Sequence, residues 1–441
     1  MSSETWAQDK AIAVAFAGSI LQPEECDMGQ NTRRGFMKQA AVGAAALLAY
    51  SPSRVLGAND RVRLGMIGVG GRGQDLLKQV LQLPDAQLVA IADIYGRRRD
   101  EAKQMAPGIQ TLDDYRRLLA MKDIDGVIVA TPVFLHSEHF LAALAAGKDL
   151  YCEKTMTWSI PEAERCLAAA TQSDRVVQIG LQHESSGALA DTRKWIKDGL
   201  VGKVTQVESW MSRNTPHGVA QWVRPVPPDC TAQNVNWKAF LDGRPDRPFD
   251  AYKFMNWRLF WEFSGGNITE NMVHQMAWIM SALDLPVPDA ATMSGGVFSE
   301  KDGREVPDTI AVTLDFPNDL VVTWQSTFSN SRYGLGEHLL GSDGTVEHVA
   351  GATDMVSGKS AETIRYYPEK ANRPSGSPLT GDTPDQNHMA NWIDCIRTRK
   401  TPNASVDIGY RSAVAAHMSN LAYRRKQRIT LEMAKSIQPQ F

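Results

Sequence analysis

The residues of this sequence best suited to chemistry stand at the ends of short apolar runs. Val62, Leu64, Met66, Ile67 and Val69 lead into Gly68-Val69-Gly70-Gly71-Arg72-Gly73, a complete G-x-G-x-x-G, and Leu76, Leu77, Val80 and Leu81 then share one helical face. Read physically, this is a buried strand, a tight turn and a helix start. Gly68 permits the turn, Gly70 lets backbone amides approach a pyrophosphate, and Gly73 lets the helix pack close to the strand with its N-terminus toward the phosphates. A second run, AQLVAIAD, ends at Asp93, 20 residues after Gly73. A carboxylate there would accept hydrogen bonds from a ribose 2′-hydroxyl. GVIVATP ends at Thr131-Pro132, and DLYCEK ends at Glu153-Lys154. A glycine turn without a ligand is the plain alternative, but four strand ends carrying polar residues describe the carboxyl edge of a doubly wound sheet. The implied ligand is a nicotinamide dinucleotide. Arg97, Arg98 and Arg99 could contact a 2′-phosphate, but Asp93 would repel it, so NAD is expected over NADP.

The elements that must position these residues follow from the patterning. Helical patterns at 97–105, 112–121, 137–146 and 160–172 alternate with the strands, and VVQIGLQ, Val176 to Gln182, reads as a further buried strand. This is the βαβ rhythm of a parallel sheet. After Gln182 the grammar changes. ALADTRKWIKDG is helical, KVTQVESWMSR alternates like a strand, and 214–250 is rich in proline and aromatics with little regular pattern. Such long irregular segments are often site-forming lids. NITENMVHQMAWIMSALD reads as a helix on which Glu270 and His274 share a face. ATMSGGVF, DTIAVTLDF and LVVTWQSTFS have period two, and HLLGSD with TVEHVA reads as a hairpin around Ser342-Asp343-Gly344. Two helices close the chain. The expected fold class is α/β: residues 59–182 form a Rossmann dinucleotide-binding domain. Residues 183–441 form an α+β domain with a mostly antiparallel open sheet, its last helices packing back.

Composition sets the limits. The 441 residues are 43% hydrophobic and 22% charged, with a formal charge of −3, so nothing pulls the chain toward nucleic acid. No run of about 20 apolar residues suggests a transmembrane span. Residues 1–58 read as an extension and an export signal: Asn31-Thr32-Arg33-Arg34-Gly35-Phe36-Met37-Lys38 precedes the apolar QAAVGAAALLAY, as in twin-arginine signals. The alternative is a surface basic turn before a short core helix. Cleavage is expected near Leu56-Gly57-Ala58, with Met1 or Met28 as the start, and the protein is expected to be periplasmic or otherwise exported. The five cysteines, Cys26, Cys152, Cys166, Cys230 and Cys395, lack C-x-x-C spacing. Neither a zinc site nor a disulfide framework is expected.

TPVFLHSEHFLAALAAGKDLYCEK (Thr131 to Lys154), GLQHESS, FWEFSGGNITENMVHQMAW and NWIDCIRTRKTPNASVDIGYRSAVAAH carry a resemblance. With the glycine loop, they make the chain from Arg61 to about Arg425 similar to the glucose–fructose oxidoreductase, inositol dehydrogenase and MocA-like family. The resemblance implies NAD(P)-dependent chemistry on cyclic sugars or polyols, and a homo-oligomer (dimer or tetramer) built on the open sheet. Lys154 would stand beside the nicotinamide, hold the reacting hydroxyl and ease its proton loss; the alternative is a lysine merely paired to Glu153. His274 would serve as general base, oriented by Glu270 or with Glu270 on substrate hydroxyls. Thr131, Pro132, His136, Glu153 and Gln182 would line the cofactor side. His183, Asn271, Asn267, Trp257, Arg258 and Trp261 would face the substrate. Three departures are visible: Glu153-Lys154-Thr155 replaces Glu-Lys-Pro, whose proline is often cis. Glu270 replaces an aspartate, and His183 stands where arginine is usual. No metal set is identifiable.

The expected activity is NAD(H)-dependent oxidation of a secondary sugar or polyol hydroxyl with a tightly held cofactor. The rivals are a glycosidase working by transient oxidation, elimination, water addition and reduction, and a non-catalytic sugar- or NAD-binding protein.

Overall fold

Runs of branched apolar residues separated by amphipathic stretches build a six-stranded, wholly parallel sheet in the first part of the chain. In this computed structural model, residues 61–215, 219–351 and 362–437 are described. The segment expected to be an export signal, the expected cleavage region and Cys26 lie outside them. The strands are β1 (Val62–Ile67), β2 (Ala86–Ala92), β3 (Gln110–Leu112), β4 (Gly126–Val129), β5 (Asp149–Glu153) and β6 (Val177–Gly180). They lie in the order β3-β2-β1-β4-β5-β6. The order reverses between β1 and β4, and there the carboxyl ends open a crevice. The connecting helices are α1 (Gly71–Leu81), α2 (Gly96–Met105), α3 (Tyr115–Leu119), α4 (His136–Ala145) and α5 (Ile160–Thr171). Strand β3 is an addition to the expected set: three residues, one of them buried, are too few to show a period. Helix α3 is shorter than the 112–121 pattern because the Asp114 side chain caps it, accepting from Arg116 N at 2.9 Å.

The second sheet has nine strands. After α6 (Gly187–Lys197) come β7 (Val204–Ser212), α7 (Trp237–Leu241), α8 (Ala251–Met255) and a π-helical turn, Ile268–Met272, that runs into α9 (Val273–Ala282). Strands β8 (Ala290–Gly296), β9 (Thr309–Phe316), β10 (Leu320–Thr327), β11 (Leu335–Gly341), β12 (Gly344–Ala350), β13 (Thr363–Pro368) and β14 (Leu379–Thr380) follow. The chain closes with α10 (His388–Thr398), α11 (Val406–Arg425), β15 (Ile429–Thr430) and α12 (Leu431–Ser436). The order is β14-β13-β12-β11-β7-β10-β9-β8-β15. Only β10 and β7 pair in parallel; the expected β11–β12 hairpin turns at Ser342-Asp343.

Two features bear on the crevice. Helix α10, from the far end of the chain, lays Met389, Trp392, Ile393 and Ile396 into the same apolar cluster as Leu64, Met66, Ile128 and Tyr151 of the first sheet. Of the segment read as patternless, 214–250, the part from residue 219 onward proves more ordered than its composition suggests. Trp237 stacks on Phe240 at 5.0 Å, and both join Tyr95, Phe134, Phe254 and Phe263 in an aromatic cluster of their own. This strap is tied to the parallel sheet by a bridge between Tyr95 and Val235. Asn236 N adds a bond to Ile94 O at 3.0 Å. Cys152 and Cys166 are fully buried thiols, packing as small apolar groups.

Candidate active site and dinucleotide cleft

The glycine loop is shaped by contact rather than by flexibility. Gly68 has φ +87°, and a Cβ on it would lie 2.9 Å from the Ala130 backbone at the end of β4. A Cβ on Gly73 would lie 2.3 Å from Gly68 O, so helix α1 can approach β1 only without one. Gly70 precedes the helix and no side chain caps it. The amides of the first turn are therefore left for an anion. Val69 is wholly buried behind the loop. Asp93, 6% exposed, accepts from Val69 N at 2.8 Å and Tyr95 N at 2.9 Å. Its carboxylate braces the loop and keeps further lone pairs toward the cleft. Of the three arginines, Arg97 pairs with Glu101 and Asp229 and Arg99 donates to Asp93 O. Arg98 lies over the Phe254 ring at 5.0 Å. The bare glycine cradle, the uncapped helix and the buried Asp93 fit a dinucleotide.

A cavity of about 920 Å³ runs from this loop past Thr131, Pro132, His136, Glu153 and Lys154 to Trp257, Arg258 and Glu270. Lys154 does not pair with Glu153. Glu153 is occupied by Arg72 at 2.7 Å and by Gln182 Nε2 at 3.3 Å, so both Arg72 and Gln182 brace it. Lys154 Nζ instead crosses the cleft, donating to Glu270 O at 2.7 Å and Glu270 Oε2 at 3.1 Å. One of its three N–H donors stays uncommitted. The Lys154–Thr155 peptide is cis without a proline. Around it, Thr155 Oγ1 donates to Thr269 O. His136 places Nδ1 2.7 Å from Thr155 O and Nε2 2.9 Å from Thr131 O. His136 thus stands between two carbonyl oxygens, to only one of which its neutral ring can donate, and burial lowers its pKa.

Glu270 and His274 share a helix but not the expected bond. Glu270 sits in the π turn between two cations, Lys154 and Arg258, the latter at 3.0 Å. Burial opposes its charge, but the two cations prevail and hold its pKa down to about 2. No hydrogen bond joins it to His274; its side chain bonds Lys154 and Arg258 instead. His274 Nδ1 is buried without a partner. Burial, then the Lys154 charge and His183, drive the His274 pKa well below its usual value. Its ring faces His183, centroids 5.3 Å apart. The His183 pKa is likewise lowered by burial. Both imidazoles lie beside the cavity wall rather than on it.

Asn267 and Asn271 do not face the cavity as expected. Asn271 Nδ2 donates to Asn267 Oδ1 at 2.6 Å, and Asn267 Nδ2 to Ser326 Oγ at 2.8 Å. These buried amides pin the π turn to β10. Trp261 is corrected as well: it lines a separate pocket with Trp158 and Arg424. Several cavity residues went unforeseen, Arg224 and Tyr115 among them. Arg224 reaches the glycine loop and Tyr115 the opposite end; neither has a sequence signal beyond its type. Among the described residues no cluster of three metal-ligating side chains occurs, and no helix is long and apolar enough to cross a membrane.

Comparison with known proteins supplies the context. Residues 62–181 match the family model described as "Oxidoreductase family, NAD-binding Rossmann fold". Residues 237–347 match that of the "GFO/IDH/MocA C-terminal domain", and together these cover more than half of the chain. The chain is 32% identical over 154 residues to an inositol 2-dehydrogenase of Gluconacetobacter diazotrophicus, 34% of this chain and 45% of that one. It is 41% identical over 133 residues to a glycosyl hydrolase family 109 protein of Stenotrophomonas maltophilia, 27% of this chain and 29% of that one. It thus spans less than half the length of these curated relatives. The crystal structure of an aldose–aldose oxidoreductase from Caulobacter crescentus, complexed with glycerol, superposes with a TM-score of 0.63 at 19% identity, covering 84% of this chain and all of that one.

Proposed function

We propose that this chain, which belongs to the Gfo/Idh/MocA oxidoreductase family, oxidises a secondary hydroxyl of a sugar or cyclic polyol by hydride transfer, and reverses the step. The observation carrying this reading is Lys154, set at the end of β5 with one donor free and its Nζ anchored on Glu270. NAD, when bound, supplies the hydride acceptor. The glycine loop and Asp93 hold the dinucleotide. Lys154 donates its remaining N–H to the substrate oxygen and stabilises negative charge there as the proton leaves. Glu270 stays ionised between Lys154 and Arg258, keeping the lysine in place. His274, held neutral by burial with Nδ1 unpartnered, stands beside the wall and serves as proton acceptor through a relay, a water or a substrate hydroxyl. Trp257, against which Arg258 stacks at 4.2 Å, gives a wall for sugar C–H groups.

The rest of the reading is biological. The paired Arg33-Arg34 before an apolar run support periplasmic export by the twin-arginine translocase, which passes folded proteins. An exported enzyme then needs a tightly held, internally recycled cofactor, in keeping with a role in carbohydrate metabolism that pairs oxidation of one sugar with reduction of another. The open face of the nine-stranded sheet, with Phe298 and Tyr333 each 65% exposed, supports a homo-oligomer.

A second reading, an NAD-dependent glycosidase, is favoured by the 41% identity to the family 109 hydrolase. Its transient oxidation acidifies the neighbouring carbon, and the same lysine and histidine would serve. One experiment separates the two: the purified protein is incubated with free sugars and aryl glycosides, following reduced-nicotinamide absorbance and released aglycone together. The expected outcome is reduced cofactor from a free sugar, stoichiometric with enzyme, and no aglycone. Catalytic aglycone release without net reduction would make it the glycosidase. Neither signal, with no dinucleotide released on denaturation, would leave a non-catalytic binding protein.

A further inference from the structure

Most cations along the cleft have a carboxylate partner, and Arg224 is one that does not. Arg72 is matched by Glu153, Arg258 by Glu270, and Arg97 by Asp229 and Glu101. Arg98 stands 3.9 Å from Asp93. Arg224 has no carboxylate within ion-pair distance among the described residues. Its guanidinium nevertheless lies directly on the start of α1. A Cβ on Gly71 would be 3.0 Å from Nη1, 3.3 Å from Nη2 and 3.5 Å from Cζ of Arg224. Desolvation first, then repulsion from Arg258 and Arg98, lower its pKa, against a smaller attraction from Asp75. A cation held beside other cations at an uncapped helix start marks the place of an anion.

The backbone that carries Arg224 is fixed. Arg224 N donates to Asn256 Oδ1 at 2.7 Å and Asn256 Nδ2 donates to Arg224 O at 3.2 Å, and Asn256 is 1% exposed. Further along the strap, Tyr95 OH and Arg97 both donate to Asp229, each at 3.0 Å, and Gly96 N donates to Asn234 O at 3.0 Å. The strap therefore crosses the dinucleotide cleft from the second half of the chain and is fastened on the far bank.

We propose that Arg224 is a clamp on the cofactor diphosphate, holding it against the amides of Gly71 and Arg72 from the opposite wall, so that the dinucleotide leaves only when the strap undocks. This deepens the dinucleotide reading above and rests on it. The geometry has a clear division of labour: helix α1 offers directional N–H donors from below, and Arg224 offers a planar, permanently charged fork from above. Such a closure gives an exported enzyme the slow cofactor loss it needs.

The test uses the full chain, stripped of dinucleotide and titrated calorimetrically with NAD, ADP-ribose and adenosine. Arg224→Gln is expected to weaken NAD and ADP-ribose by about 10- to 100-fold, the loss of one charge-assisted contact, to speed NAD release, and to leave adenosine affinity unchanged. Arg224→Lys is expected to recover part of the loss, since charge returns without the fork. The unchanged adenosine site doubles as the check that Arg224→Gln is folded. NAD affinity within twofold of the parent in Arg224→Gln would overturn the clamp and leave the dinucleotide reading standing. Equal weakening of adenosine would also overturn it, pointing to collapse of the strap. A parent chain that binds none of the three would overturn both.

Discussion

At the scale of single residues, the site turns on who pairs with whom. Lysine and glutamate are neighbours in Glu153-Lys154, and a pair between them is the plain alternative to a lysine turned to the substrate. The fold instead gives Glu153 to Arg72 and sends Lys154 to Glu270. The consequence is a lysine whose position depends on the second half of the chain. Lys154→Ala is expected to lower kcat by about two to four orders of magnitude, the usual weight of a proton-handling group. NAD affinity should change by no more than a few-fold. Steady-state kinetics with separate cofactor titration reads the two effects apart. Glu270→Gln removes the anion that anchors Lys154 and Arg258 and leaves two cations facing each other. It is expected to cost activity nearly as much, and Glu270→Asp should restore part of it; an unaffected Glu270→Gln would remove the carboxylate from the positioning scheme.

At the scale of elements, the turn after β1 is legible because glycine is the only residue that fits where Gly68 and Gly73 stand. The alternation of strands and helices is legible because each strand, buried on both faces, is a continuous apolar run. Strand β3 and the π turn are not, since neither has a period long enough to read. The π turn matters for chemistry. It carries Glu270 into the cleft while the Asn267–Asn271 pair, which a sequence reading assigns to sugar, turns inward to Ser326. Helix α10, one of the last helices expected to pack back, supplies a wall of the first sheet from some 200 residues downstream of β6. Trp392, wholly buried and facing Tyr151 at 5.7 Å, is its main contact. Trp392→Ala is expected to destabilise the protein by about 3–5 kcal/mol, measured by urea unfolding. A loss under about 1 kcal/mol would mean α10 is an accessory rather than part of that core.

At the scale of the whole molecule, burial of histidine sets the response to acid. Desolvation lowers His139 to about 3 and His388 and His417 to about 4. Below the usual value of 6.5 the unfolded chain binds protons there that the folded chain refuses, so stability falls as pH falls from 6.5 toward 4, by about 1.4 kcal/mol per pH unit for each histidine. Glu184 works the other way. Burial raises it from 4.5 to about 7, so between those values the folded form holds a proton the unfolded form has lost, and this offsets roughly one histidine. Glu270 adds a contribution of the acid-labile kind, present above 4.5 and lost as pH falls through about 2. The net expectation is a Tm that declines steadily between pH 6.5 and 4; a flat profile over that range would contradict it.

The amino-acid sequence alone determined the parallel sheet, the glycine loop and the antiparallel second sheet. These rest on periodicity and on residue type, and both are local properties. What only the tertiary structure decided is every pairing across the cleft: Glu270 with Lys154 and with Arg258, Glu153 with Arg72, and His274 beside His183 with its Nδ1 free. It also decided that Arg224, a lone arginine in a proline-rich stretch, comes to rest on the first turn of α1. Charge pairing follows distance in space, and the folding of residues 204–282 back onto the end of β5 brings together groups more than 100 positions apart, beyond the reach of any local pattern.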